Sequence, residues 1–236
     1  MLTNTKPGLL VLLLLVFAVN YVETALVTPS QTQSAVSARA YDDADLVSRI
    51  ERLSTFEFHD HTPTWAVELY SVAYFIFLPC VGVALLIALA RRKEFAPFRV
   101  LCLAVAADYA LSLPAFLLFP VPERWAYPES NAVLLSDLLS PKWIEAIRRI
   151  SALNNSFPST HVSLAVIVIG VCWLYAVRFR VSATALCFAV ILSTFALGIH
   201  WMADIIAGAL VGLLSVTIAW RFTDRREGRE LTGELA

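Results

Sequence analysis

The sequence predicts an all-α fold: a polytopic membrane protein with about six transmembrane helices in a bundle. Three observations carry this. The 236 residues are 58% apolar and only 16% charged, whereas a soluble domain is roughly half apolar and a quarter charged. Clusters of Lys and Arg separate apolar runs of the length that one membrane crossing needs. The longest run, 181–220, is twice that length and must fold back on itself.

Charge and cysteines narrow the class further. A formal net charge of -1 argues against nucleic acid as a partner. Cys80, Cys102, Cys172 and Cys187 all lie inside apolar runs without metal-ligand spacing. They read as small buried hydrophobes, neither disulfides nor ligands. The chain divides into a first span and extracytoplasmic connector (1–64), a membrane-embedded domain (65–221) and a cytoplasmic tail (222–236).

In order, residues 8–27 hold an apolar core, Leu9 to Val19, behind Lys6. This is a first span or a signal peptide. The best small-residue cleavage match, Ala38-Arg39-Ala40, lies far downstream, which favours an uncleaved span. Residues 28–64 are polar and turn-rich, with a helix-like alternation over 41–56. His59-Asp60-His61 resembles a metal site, but it lacks the third or fourth fixed ligand such a site needs and reads as a solvated loop.

Residues 65–90 form a strong span ended by Arg91-Arg92-Lys93, and 98–119 the next, ended by Pro120-Val121-Pro122. In the 121–158 connector, Trp143, Ile144 and Ile147 alternate with Lys142, Arg148 and Arg149, the pattern of an interfacial amphipathic helix. Residues 162–176 form another span, ended by Arg178-Phe179-Arg180, and the 181–220 hairpin follows.

Short basic loops stay in the cytoplasm. The Arg91, Arg178 and Arg221 clusters alternate so that all three fall on that side. Arg124, Pro158 to His161 and His200 to Asp204 then fall together on the outer face, as do Arg148 and Arg149 against the rule.

These outer stretches carry the chemistry. Asp204 follows His200 by four residues, a spacing that brings both side chains to one helical face. A carboxylate there fixes an imidazole tautomer and stabilises its cation, as a nucleophilic or general-base histidine needs. Ionisable groups in apolar runs are costly and usually functional; the alternative is a structural pair closing the hairpin. Pro158 suits the first turn of a helix, placing Ser159 and Thr160 at an N-terminus whose N–H groups can hold an anion. His161 is then a neighbour of that anion, or an ordinary interfacial histidine. Arg124 either grips phosphate bidentately or anchors at the headgroups. Asp108, midway along its span, reads as structural, bonded to Ser112 or to another span.

Taken together, these residues resemble the type-2 phosphatidic acid phosphatase superfamily. Phe157-Pro158-Ser159-Thr160-His161 is similar to its second signature, Pro-Ser-x-His. Ser193 to Asp204 is similar to its third: serine, arginine, five residues, histidine, three residues, aspartate. Thr194 stands where that arginine belongs. The first signature, a lysine and later Arg-Pro, has only Arg124 near its place. The resemblance covers about residues 65–220. The lost arginine resembles the branch of inositol phosphorylceramide and sphingomyelin synthases, which transfer a phospho-headgroup between lipids.

The resemblance implies that His200 attacks phosphorus and carries the group covalently. Asp204 orients His200, and His161 protonates the leaving oxygen and then activates the acceptor. Ser159, Thr160 and Arg124 bind the phosphate oxygens, with Arg148 or Arg149 as further candidates. It implies no metal and no cofactor. Related haloperoxidases hold vanadate in this place, which a membrane-embedded chain argues against.

The expected activity is lipid phosphatase action on phosphate monoesters or diphosphates at the extracytoplasmic leaflet of the plasma membrane, with the C-terminus cytoplasmic. Hydrolysis ranks first because nothing in the sequence identifies an alcohol acceptor. Headgroup transfer is the alternative that Thr194 raises, and a non-catalytic lipid-binding scaffold is the third reading. The expected partners are a lipid phosphate and the bilayer. A transporter is disfavoured because the polar groups gather at one face instead of the midplane.

Overall fold

A computed structural model describes residues 38–51, 62–92, 94–130, 132–135 and 155–233, with helical residues 11, 14–16, 18–19 and 21–22 and side chains as far as 224. The elements are α1 (Ala38–Glu51), α2 (Thr64–Ala90), α3 (Ala96–Leu118), α4 (Thr160–Leu174), α5 (Arg180–Ala196) and α6 (Met202–Gly233). Among the described residues there is no strand, only an isolated bridge between Val121 and Asn155. The His59 cluster, most of the first span and the 142–149 pattern lie outside the described residues.

The architecture is an all-α membrane bundle. Helices α2, α3 and the Met202–Asp224 part of α6 are long and apolar enough to cross a membrane, and α4 and α5 are shorter apolar helices. Val83, Phe188, Leu192, Leu210 and Leu213 point outward from the bundle. So many exposed apolar side chains would aggregate in water and are ordinary against lipid tails. Leu85, Phe98, Ile167, Val171, Cys187 and Val190 fill the interior between α2, α3, α4 and α5.

Two glycines set how closely α6 approaches α4. A Cβ on Gly208 would lie 2.4 Å from the Ser159 carbonyl oxygen, and one on Gly212 would lie 2.5 Å from that of Ser163. Small residues one turn apart let two membrane helices touch through their backbones. The N-terminal ends of α4 and α6 therefore meet, and the Ser159 N–H donates to the Asp204 carbonyl at 3.1 Å.

Helix α2 is not uniform. Ala73–Phe77 is a π turn, and it lies just before Pro79, which has no N–H for the Phe75 carbonyl. At the opposite end of the bundle, Arg92 donates to the Tyr175 carbonyl at 2.9 Å. Arg180 lies over the Trp173 ring at 4.6 Å, so two basic clusters gather away from the His200 end.

The structure alters several expectations. Cys102, Cys172 and Cys187 are buried, but Cys80 is exposed, because it faces outward from α2. Asp108 bonds to another helix, one of its two expected partners, accepting from the Ser163 hydroxyl at 2.9 Å. Pro158 precedes α4 instead of opening it; Ser159 is the cap and Thr160 the first helical residue. Helix α6 begins at Met202, so His200 stands before the helix and not on its face.

Candidate active site

The turn carrying His200 is held from three sides. Helix α5 ends at Ala196, and Gly198 follows with φ 74°. A side chain there would be strained, and its Cβ would lie 2.6 Å from the Val133 carbonyl oxygen. The connector after α3 clasps the turn: Arg124 N–H donates to Ile199 O at 2.9 Å and Trp125 N–H to Gly198 O at 3.0 Å. The His200 N–H donates to the Thr194 carbonyl at 3.1 Å. Trp201 is fully buried, and its indole N–H donates to Pro122 O at 3.1 Å.

Asp204 does two things from the third position of α6. Its Oδ2 accepts from the Trp201 N–H at 3.0 Å, half of a capping box that closes the start of the helix. The same oxygen lies 3.2 Å from Nδ1 of His200. A carboxylate only accepts, so Nδ1 carries the proton and Nε2 keeps its lone pair. Ser156 completes the group: its hydroxyl donates to Asp204 Oδ2 at 2.5 Å, and its Oγ is 3.0 Å from His200 Nδ1. All three residues are buried. Ser156 is fixed in turn by its own N–H, which donates to Val121 O at 2.9 Å.

The second stretch arrives at the start of α4. Ser159 is fully buried, and its Oγ accepts from the Val162 N–H at 3.4 Å, an N-cap. The N–H groups of Thr160 and His161, in the first turn, have no acceptor within the helix. His161 stacks on Tyr74 of the π turn, with ring centroids 4.1 Å apart, and lies within electrostatic range of His200. It also lines an apolar cavity of about 650 Å³ bounded by α2, α3, α4 and Val16 of the first apolar run.

Positive charge comes from Arg124. Only 3% of it is exposed, and its guanidinium lies over the Phe195 ring at 5.1 Å. It lines a small cavity of about 250 Å³ with Glu51, Phe195 and Ala203. Glu51, the last residue of α1, accepts from the Ala203 N–H at 2.6 Å. Burial pushes its carboxyl above the usual glutamate range; the Ala203 N–H opposes this, Asp204 adds to it, and Arg124 opposes it. Burial presses the Arg124 pKa down, and Glu51 opposes that.

The PAP2 superfamily model matches residues 98–227. That is more than half of the chain. The chain belongs to the PAP2 superfamily. No curated protein and no solved structure matches it. The chain is thus a membrane protein of a phosphatase-type lipid enzyme family.

Within this PAP2 chain, the predicted residues that are described lie near one another. His200, Asp204, His161, Ser159 and Thr160 meet where α4 and α6 begin, and Arg124 lies beside them on the connector. Arg148 and Arg149 lie outside the described residues. Thr194, in the place of the family's arginine, is fully buried, and its hydroxyl turns back to Ile191 O at 2.7 Å. It supplies no charge to the site. Three residues escape a reading of the sequence: Ser156, Tyr74 and Glu51. Ser156 adjoins the Phe157-Pro158 motif, and that adjacency is the one signal in the sequence that marks it. Tyr74 and Glu51 arrive through packing, and no local pattern marks them.

Proposed function

We propose that the protein is an integral membrane lipid phosphatase acting on phosphate monoesters or diphosphates of lipids through a phosphohistidine. The observation that carries this is the buried Ser156–Asp204–His200 group, which leaves Nε2 of His200 as the free nucleophilic nitrogen. Nε2 attacks phosphorus, and the bond from phosphorus to the lipid oxygen breaks. His161 gives that oxygen its proton. A water molecule, deprotonated by His161, then attacks the phosphohistidine, releasing phosphate and restoring His200. First-turn N–H groups at Thr160 and His161, the α4 cap at Ser159 and the Arg124 guanidinium hold the phosphate oxygens. These steps use no metal ion. The basic clusters support an extracytoplasmic active site and a cytoplasmic C-terminus.

The second reading is transfer of a phospho-headgroup to a lipid alcohol, favoured by Thr194 in the arginine's place. The deciding experiment offers detergent-purified protein phosphatidic acid, a polyprenyl diphosphate and a sphingoid phosphate, with His200→Ala as control. Phosphate release by wild type alone is expected. Silence on all three substrates overturns hydrolysis and sends the question to labelled-headgroup exchange. Silence there as well, in a folded protein, leaves a lipid-binding scaffold.

A further inference from the structure

We propose that the cavity beside His161 is the binding site for one hydrocarbon chain of the lipid phosphate, and that Gly82 sets the chain length it admits. This rests on reading the neighbouring site as a lipid phosphatase. The cavity, about 650 Å³, falls in the range of ligand pockets, about 300–1,000 Å³.

Its lining is graded along the bundle. Tyr74, Tyr109 and His161 bring polar atoms to the level of the active site, while Leu86, Leu101 and Val168 line the far part. Helices α2 and α4 both run away from the His200 end, and α3 runs back toward it. Tyr74 to Leu86 spans about 18 Å of helical rise. A molecule with a phosphate at His161 and a chain running inward matches that polarity. The cavity wall also reaches the lipid-facing surface: Val83 lines it and is 56% exposed. A chain can therefore enter sideways from the bilayer while its phosphate stays at the level of His161.

Gly82 lies in this wall, and a Cβ built on it meets nothing within 4 Å. This differs from Gly208 and Gly212, whose missing side chains are required by a packed neighbour. A larger side chain at 82 enters the void without displacing a helix. It fills the space a long chain needs and leaves the His161 end open.

The test uses non-hydrolysable hexyl, dodecyl and octadecyl phosphonates. Their affinities for wild type, Gly82→Ala and Gly82→Phe are read from ligand-dependent thermal shifts in one detergent. Each buried methylene strengthens binding by at most roughly fourfold. Wild type and Gly82→Ala should bind more tightly as the chain lengthens. Gly82→Phe should match them on hexyl phosphonate and bind octadecyl phosphonate at least tenfold more weakly. Leu86→Trp, which plugs the far part of the cavity, serves as a second variant should Gly82→Phe not fold. An unchanged chain-length dependence in the plugged variant, or none in wild type, overturns the proposal. Phosphate release from octadecyl phosphate is measured separately. Chain-dependent binding without release by wild type would keep the cavity and sink the phosphatase reading.

Discussion

The Ser156 hydroxyl donates to Oδ2 of Asp204 at 2.5 Å, joining the approach to α4 with the first turn of α6. The carboxylate that orients His200 is thus itself oriented from the segment that leads into another helix. Ser156→Ala keeps the His200–Asp204 contact at 3.2 Å but removes a bond to a charged acceptor, worth about 1.5–3 kcal/mol. We expect kcat to fall about ten- to hundredfold, with KM nearly unchanged. Steady-state phosphate release checks this, and an unaltered kcat would make Ser156 a bystander.

Asp204→Asn separates the residue's two tasks. An amide oxygen can still accept from the Trp201 N–H, so the start of α6 stays capped. The charge that stabilises the imidazolium is gone, while the amide oxygen in the Oδ2 position still accepts from Nδ1. In a hydrolase triad the same substitution, with the tautomer lost as well, costs about 10⁴ in kcat, and a smaller loss is expected here because the Oδ2 position keeps the tautomer. Melting temperature should stay near wild type for Asn and fall for Asp204→Ala, which loses the cap as well. Equal melting temperatures for the two variants would contradict the capping role.

How much of this was legible in the sequence follows from where each signal resides. The apolar runs and basic clusters carried the helical bundle, because bilayer thickness imposes a length that is written locally. The two histidine stretches and the motif spacing pointed to one site, and the structure brings them together at the starts of α4 and α6. The spacing of His200 and Asp204 suggested a shared helix face, yet the pair forms across the helix start. A four-residue spacing does not say where the helix begins. Tyr74 and Glu51 were invisible because their places depend on a π turn and on docking of α1. Neither feature has a local signature.

Arg124→Ala should act mainly on binding. The residue has its backbone N–H on Ile199 and its guanidinium beside the start of α6, at the cavity shared with Ala203. Loss of a charged hydrogen-bonding partner to phosphate is worth about 1.5–3 kcal/mol. The expected result is a KM increase of about ten- to hundredfold with a smaller change in kcat. Unchanged kcat/KM would remove Arg124 from the site.

Gly208→Ala tests the contact that brings the two helix starts together. The added methyl would lie 2.4 Å from the Ser159 carbonyl oxygen, which backbone cannot tolerate. Overpacking of this kind costs about 1–3 kcal/mol. The separation it forces would also stretch the Ser159 N–H bond to the Asp204 carbonyl. Both a lower melting temperature and a loss of kcat are expected. Gly82→Ala, with open space around its Cβ, is the control for the clash and should not lower the melting temperature. Full activity in Gly208→Ala would show that the close approach does not shape the site.

Glu51 gives the site a pH dependence that can be read by sign. Burial raises its pKa in the folded protein above the ordinary 4.5. A carboxyl with a raised folded pKa takes up protons on folding, so it favours the folded state fully below pH 4.5. That contribution is lost as pH climbs through the folded pKa. Glu51→Gln removes the titration but keeps an oxygen for the Ala203 N–H. Its melting temperature should therefore gain on wild type as pH rises from 4.5 toward neutrality, with the advantage disappearing below 4.5. Activity should move in the same window. An ionised Glu51 lies close enough to Arg124 to act on its charge, and it takes up an N–H at the start of α6, so it competes with phosphate for positive potential. Glu51→Gln should lower KM at neutral pH and leave kcat unchanged. Parallel melting curves for the two proteins across pH 4 to 8 would show that Glu51 does not titrate in this way, and an unchanged KM would place its charge outside the reach of the substrate.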